Sequence, residues 1–336
     1  MSAILALLML AGAFAWRVPS NQELLHPNPE LVLLSGHTHR EVPRVEVAEN
    51  VAGITLPIEV FSGTGTATKS VTVNVNNGDG RVNRLWMQVH QPSYKYGDGS
   101  RGTEGLKVQD KSSPNTSPKM WVRVNGGSWV KVDNNTATCA RLERTSSAGC
   151  IGGGFETVRF TVPVSGVKNG ANTVEFYFNG TEGFTSGFRV LNFDFLPSGY
   201  AGDLTHADIE RANAGRITDE LIYEDMSRWT APAGYNTAAH INAGKTAWES
   251  AQLLDFVGGP RIKATCSDCH ASDGRDLKYF NYSNEVIVAR SRHHGLSEEK
   301  ANQIAAYIRS LDVPAVGTPW DPAYQPGPTR KLPTMG

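Results

Sequence analysis

Residues 157–197 read TVRFTVPVSGVKNGANTVEFYFNGTEGFTSGFRVLNFDFLP. Three runs in this stretch alternate apolar and polar residues: Val158, Phe160 and Val162; Val174, Phe176 and Phe178; Leu191, Phe193 and Phe195. Successive side chains of a strand point to opposite faces, so a period of two places one face on a core and the other in water. Gly, Asn and Ser between the runs supply turns. The same period recurs upstream, at Val71, Val73 and Val75 and at Leu85, Met87 and Val89. Asn125-Gly126, between runs at 121–124 and 129–132, predicts a tight hairpin because both residues tolerate positive φ. About eight such strands with no helical segment among them predict an antiparallel β-sandwich over residues 46–200.

Beyond Pro197 the period changes. Residues 204–228 and 244–257 carry helical spacing, the latter through Trp248, Ala251 and Leu254. Residues 297–311, SEEKANQIAAYIRSL, open on Ser297 as an N-cap, with Glu298 and Glu299 in the first turn. Ala301, Ile304, Ala305, Ile308 and Leu311 then line one face. Prolines at 314, 319, 322, 326, 328 and 333 preclude a further helix. The expected organisation is multidomain β + α. A lead-in at 16–45 precedes the sandwich at 46–200, and a helical linker at 201–243 follows it. A small all-α domain at 244–313 and a proline-rich tail at 314–336 complete the chain.

The bulk numbers fit that division. The chain has 336 residues, 40% hydrophobic and 19% charged, with a net charge of −1. This is the composition of a globular protein and carries no basic footprint for nucleic acid. The first fifteen residues, MSAILALLMLAGAFA, form an apolar run closing on Ala13-Phe14-Ala15. That is the A-x-A pattern of a signal-peptide cleavage site at the end of a run too short to span a bilayer. Export to the periplasm or the extracellular space is expected, with the mature chain starting near Trp16. The run has no preceding Lys or Arg, and no Cys follows it to take a lipid anchor. An oxidising compartment permits Cys139 and Cys150, in a Gly-, Ser- and Thr-rich region, to form a disulfide.

The other two cysteines carry chemistry. Residues 266–270 read CSDCH, the C-x-x-C-H pattern of c-type haem attachment. The thiols of Cys266 and Cys269 join the haem vinyl groups, and His270 falls beneath the iron. A thioredoxin-like pair would require a βαβ context, and a zinc site a second Cys or His pair at zinc spacing; the sequence offers neither.

With the helix at 244–257, the haem motif and the closing AAYIRSL, residues from about 240 to 312 resemble a class I-type cytochrome c domain. The wider strings CSDCHASDGRDLKYFNYSN and HGLSEEKANQIAAYIRSL resemble exported bacterial cytochromes with an N-terminal β-sandwich. The resemblance implies one haem c in a small all-α cytochrome c domain whose first and last helices cross beside it, with Ala305 and Tyr307 at the contact. The family's usual sixth ligand is a Met between the motif and the last helix, but residues 271–334 contain none. His293 and His294 stand where the distal loop should pass, and His294, directly before Gly295, is favoured as the second iron ligand. Met226, His240 and Met335 are the other candidates. No Pro stands shortly after His270 to present the carbonyl that usually orients the proximal ring, so another carbonyl is expected there.

The function implied is electron transfer to a redox partner protein, periplasmic or membrane-associated, rather than enzymic catalysis. An open distal site would instead make a haem enzyme or a peroxide or gas sensor. A glycan-binding sandwich would make a redox module targeted to polysaccharide, with Trp86, Trp121 and Trp129 as stacking residues; packing is the stronger reading of all three. Arg275, Lys278, Arg290 and Arg292 are candidates for the haem propionates, set against the commoner solvated charge. Tyr279, Asn281, Tyr282 and Asn284 divide between haem contacts and packing or capping roles. Asn76, Asn77, Asp79, Asp98 and Glu104 miss a calcium-loop spacing and read as turn residues.

Overall fold

Alternation does produce strands here, and the strands make two antiparallel sheets. The computed structural model describes residues 53–90, 120–132, 136–139, 157–180, 186–200, 204–223 and 229–313. All of them belong to one of the chain's two units, Ala52–Gly336. Their strands are β1 (Ile54–Leu56), β2 (Ile58–Phe61), β3 (Ala67–Val75), β4 (Val82–His90), β5 (Met120–Val124), β6 (Val130–Lys131), β7 (Thr138–Cys139), β8 (Thr157–Pro163), β9 (Gly170–Phe178), β10 (Gly187–Pro197) and β11 (Leu221–Tyr223). A five-stranded sheet runs β2-β10-β4-β8-β7 and a four-stranded sheet β3-β9-β5-β6. Asn125 at φ 51° and Gly126 at φ 68° make the β5–β6 turn, the positive φ pair that the sequence requires. One pairing departs from the antiparallel expectation: β1 and β11 run parallel, Ile54 opposite Leu221.

The sheets stack through their apolar rows. Phe176 of β9 meets Phe193 of β10 edge-on, ring centroids 5.9 Å apart, and both are fully buried. Burying such a ring contributes roughly 1.5–3 kcal/mol, and the rows of Val, Leu, Met and Phe around this pair form a continuous core. Trp86 is also fully buried; its Nε1 donates to the Leu204 carbonyl at 3.1 Å, so its role is packing.

β10 behaves differently from its sequence. Its alternation predicts one wet face, yet all eleven residues are buried. The second face is covered by the chain that follows: α1 (His206–Arg211), α2 (Ala238–Ser250), α3 (Cys266–Cys269), α4 (Arg275–Tyr279), α5 (Asn284–His293) and α6 (Glu298–Ser310). Leu191 and Phe61 project from the sheet into the helical core. Arg189 pairs with its cross-strand neighbour Glu59 at 3.0 Å and donates to the Asn281 carbonyl at 2.8 Å. Lys69 reaches Glu285 at the start of α5 at 3.0 Å.

The helical segments also shift from their expected limits. Among the described residues of 204–228, which are 204–223, only His206–Arg211 is helical. Asn213 turns left-handed at φ 48°, and the buried Asp194 carboxylate accepts from the Arg216 and Ile217 amides at 2.9 and 3.0 Å. Those bonds hold the chain in a turn, and strand β11 follows. The helix expected at 244–257 is α2. It starts earlier, behind the Thr237 cap, and stops at Ser250, where Ala251 is extended. Residues 297–311 match α6, whose cap Ser297 accepts from the Lys300 amide.

Residues 1–52 and 314–336 lie outside the described residues, so the signal segment, the lead-in and the tail are not part of this description. Cys150 lies outside them too, as do Met226, Met335, Asp98 and Glu104.

Candidate functional site

The C-x-x-C-H stretch forms a single helical turn. Thr265 caps α3 with extended backbone, and Asp268 reaches back to accept from the Thr265 amide at 2.7 Å. One turn sets positions i and i+3 on the same side, so the thiols of Cys266 and Cys269 stand together. His270 ends the turn with φ −114° and ψ −177°. Its imidazole lies 5.5 Å from the Trp248 ring of α2, centroid to centroid, and Trp248 is fixed by donating Nε1 to the Ser272 carbonyl at 3.0 Å.

What orients the His270 ring is a carboxylate. Asp276 Oδ2 lies 2.7 Å from His270 Nδ1, and Oδ1 accepts from the Ala271 amide at 3.2 Å. The sequence reading expected a backbone carbonyl in this role and did not single out Asp276. Gly274, left-handed at φ 74°, folds Asp276 back toward the ring, and a Cβ there would strike Ile308 Cδ1 at 2.3 Å. A carboxylate accepts, so Nδ1 carries the proton and the lone pair of the neutral ring lies on Nε2. That is the tautomer a metal-ligating histidine takes when its other nitrogen is held by a second residue.

His294 shows the same tautomer. Its Nδ1 meets the Leu254 carbonyl at 2.8 Å, and its own carbonyl accepts from the Leu254 amide at 2.9 Å. A carbonyl also only accepts, so the lone pair again lies on Nε2. His294 caps α5 one turn after Arg290, the residue whose carbonyl accepts its amide. Burial and then Asp268 push the Cys269 thiol up, against a smaller downward pull from the Arg290 guanidinium. His293 is fully buried on the flank of α5 that carries Val286 and Ala289 into the helical core. His240 is half-buried at the start of α2, where its Nδ1 lies 3.1 Å from the Thr237 hydroxyl.

Leu254, Phe256 and Ile262, in the stretch before the motif, are half-buried, and Val257 is 43% exposed. Burial pushes the Cys266 thiol up to about 12, the reverse of the depressed value that makes a C-x-x-C pair an oxidoreductase nucleophile. Among the described residues no three His, Cys, Asp or Glu side chains converge to hold a metal ion. Two thiols and one or two imidazoles are the donor set of a covalent haem, whose iron takes its remaining ligands from the porphyrin.

The helices α2 and α6 cross next to this turn. Gly244 makes the crossing close: a Cβ there would lie 1.9 Å from the Gln303 carbonyl oxygen and 2.9 Å from Tyr307. The sequence reading placed Ala305 and Tyr307 at this contact but omitted Gly244, whose signal is a glycine inside a helical pattern. The charged candidates are engaged locally. Arg275 binds Asp273 at 2.8 Å, Arg292 pairs with Glu298 at 3.3 Å, and Lys278 donates to the Arg309 and Leu311 carbonyls at the end of α6. Tyr282 and Asn281 are buried. Asn284 donates to the Thr230 carbonyl and accepts from Arg309, each at 2.8 Å, while Tyr279 is 40% exposed.

On the sandwich, Asn77 and Asp79 serve turns: Asn77 donates to the Val167 carbonyl, and Asp79 accepts from the Arg81 amide and from Arg216. Trp129 lies under the Arg123 guanidinium at 4.3 Å, and Trp121 under the Lys131 ammonium at 5.3 Å. Among the described residues no helix is long and apolar enough to cross a membrane. Comparison with family models, curated proteins and solved structures gives no match to this chain.

Proposed function

We propose that the chain is an exported electron-transfer protein carrying one haem c, attached through Cys266 and Cys269 and ligated by His270 and His294. The observation that carries this reading is the shared tautomer of the two histidines, each holding Nδ1 on an acceptor so that Nε2 bears the lone pair. The C-x-x-C-H turn and the likeness of residues 240–312 to a class I-type cytochrome c domain support it. When bound, the haem supplies a one-electron iron couple. The chain's part is to fix both imidazoles, to cover the group with Leu254, Phe256 and Ile262, and to hold it against the α2–α6 crossing. With His270 and His294 both holding it, the group would offer no open position to peroxide or a gas, which favours electron transfer over catalysis. A redox partner protein, periplasmic or membrane-associated, receives or donates the electron.

The test uses the full chain from a host with haem-attachment machinery. Wild type should stain for haem on a denaturing gel and show a low-spin spectrum, and Cys266→Ala with Cys269→Ala should abolish the stain. His294→Ala should turn the ferric protein high-spin and quick to bind cyanide, while His293→Ala stays low-spin. A wild type without covalent haem sinks the proposal. A high-spin wild type would keep the haem but point to an enzyme or sensor.

A further inference from the structure

Two aspartates follow the haem motif, and the fold treats them oppositely. Asp273 is neutralised locally, its oxygens 2.8 and 2.9 Å from the Arg275 Nε. Asp276 has no Arg or Lys within ion-pair distance among the described residues; its carboxylate, 7% exposed, faces the His270 imidazole. We propose that Asp276 is the positioning residue of the proximal histidine and that its negative charge lowers the reduction potential of the haem. This rests on His270 being an iron ligand.

The physical argument is one of acceptor strength. A hydrogen bond to an ionised acceptor is about twice as strong as one between neutral groups. A carboxylate on Nδ1 draws the ring proton toward itself and makes Nε2 a better donor than a backbone carbonyl would. A more basic axial ligand favours ferric over ferrous iron. Burial keeps water from screening the interaction, and the Ala271 amide on Oδ1 fixes the carboxylate plane. The left-handed Gly274 turn packs on the Trp248 ring, and that ring stands against His270.

The full chain with haem attached tests this through three variants. Asp276→Asn keeps an acceptor of the same shape and removes the charge. It should retain the haem stain and the low-spin spectrum while raising the midpoint potential. At a fixed ambient potential the ferric-to-ferrous ratio should fall roughly tenfold, about 59 mV for a one-electron couple. Asp276→Ala should raise the midpoint at least as far. Asp273→Asn removes the same charge three residues away and should move the midpoint by less than a third as much. An unchanged midpoint in Asp276→Asn, or an equal shift in Asp273→Asn, would overturn the proposal. If the Asp276 variants do not fold, the wild-type ferrous protein decides. The His270 Nδ1 proton should resonate far downfield and exchange slowly with solvent, and fast exchange would overturn the assignment. Absence of covalent haem from wild type would strike the reading beneath it, and the haem stain tells the two failures apart.

Discussion

The sandwich and the helical layer are stabilised in different ways. Between the two sheets, rows of Val, Leu and Phe close on one another, and Phe176, Phe193, Val174 and Leu85 are fully buried. The helical core is smaller and draws Phe61 and Leu191 from the sheet beneath it. Around the C-x-x-C-H turn its apolar side chains stay half-exposed, and short polar links do much of the fixing: Asp276 on His270, Trp248 on Ser272, Leu254 on His294. A core formed by apolar area tolerates imprecision, whereas a site formed by single hydrogen bonds depends on each one. The sandwich therefore reads as scaffold and the helical layer as the place where chemistry is positioned.

The largest test of that division truncates one ring on each side. Phe176→Ala and Trp248→Ala should each cost about 3–5 kcal/mol, measured as a shift in denaturant midpoint. Their spectra should differ. Phe176→Ala should leave the absorption of the proposed haem untouched below the unfolding transition. Trp248→Ala should disturb it in the native state, because the ring packs on His270 and anchors Ser272. Equal disturbance by both would break the division.

Gly244→Ala is smaller and sharpens it. In an open helix this change would gain about 1 kcal/mol from propensity. Here the new Cβ meets the Gln303 backbone, so a net loss of about 1–3 kcal/mol is expected. Thermal denaturation followed at the haem band measures it, and a gain would show that α2 and α6 do not cross this closely.

The smallest effect lies on the sandwich flank. Asp208 is held at about 2, below the ordinary 3.8, by the Thr205 hydroxyl and amide and by Arg211. A carboxylate with a lowered value contributes its full stability above pH 3.8 and loses it as pH falls through about 2. Asp208→Asn should flatten the melting temperature between pH 4 and 2 while the haem spectrum over that range stays as in wild type. An unchanged slope would remove the role of this cap.

The sheets were legible because alternation is a local property of strands, and the Asn125-Gly126 turn because two residues sufficed to specify it. The cysteine turn was legible for the same reason: its three side chains fall within five residues. Helix limits were less so, since residues 204–228 keep helical spacing while Asp194, from β10, holds residues 216 and 217 in a turn.

The sequence by itself thus determined the two antiparallel sheets, the closing helix α6, and the spacing of Cys266, Cys269 and His270. Tertiary structure alone decided that β10 is covered on both faces, since a period of two reports which residues share a face and not what packs on that face. It decided that Arg189 and Leu191, which a period of two places with Phe193 and Phe195, lie on the helical side beyond a register shift between Val190 and Asn192, with Arg189 in a buried pair with Glu59. It also chose between Asp273 and Asp276, equally plausible in the string CHASDGRD, because a left-handed turn at Gly274 carries one to Arg275 and the other to the imidazole. Such choices depend on where the chain returns, and nearest-neighbour chemistry does not encode the return.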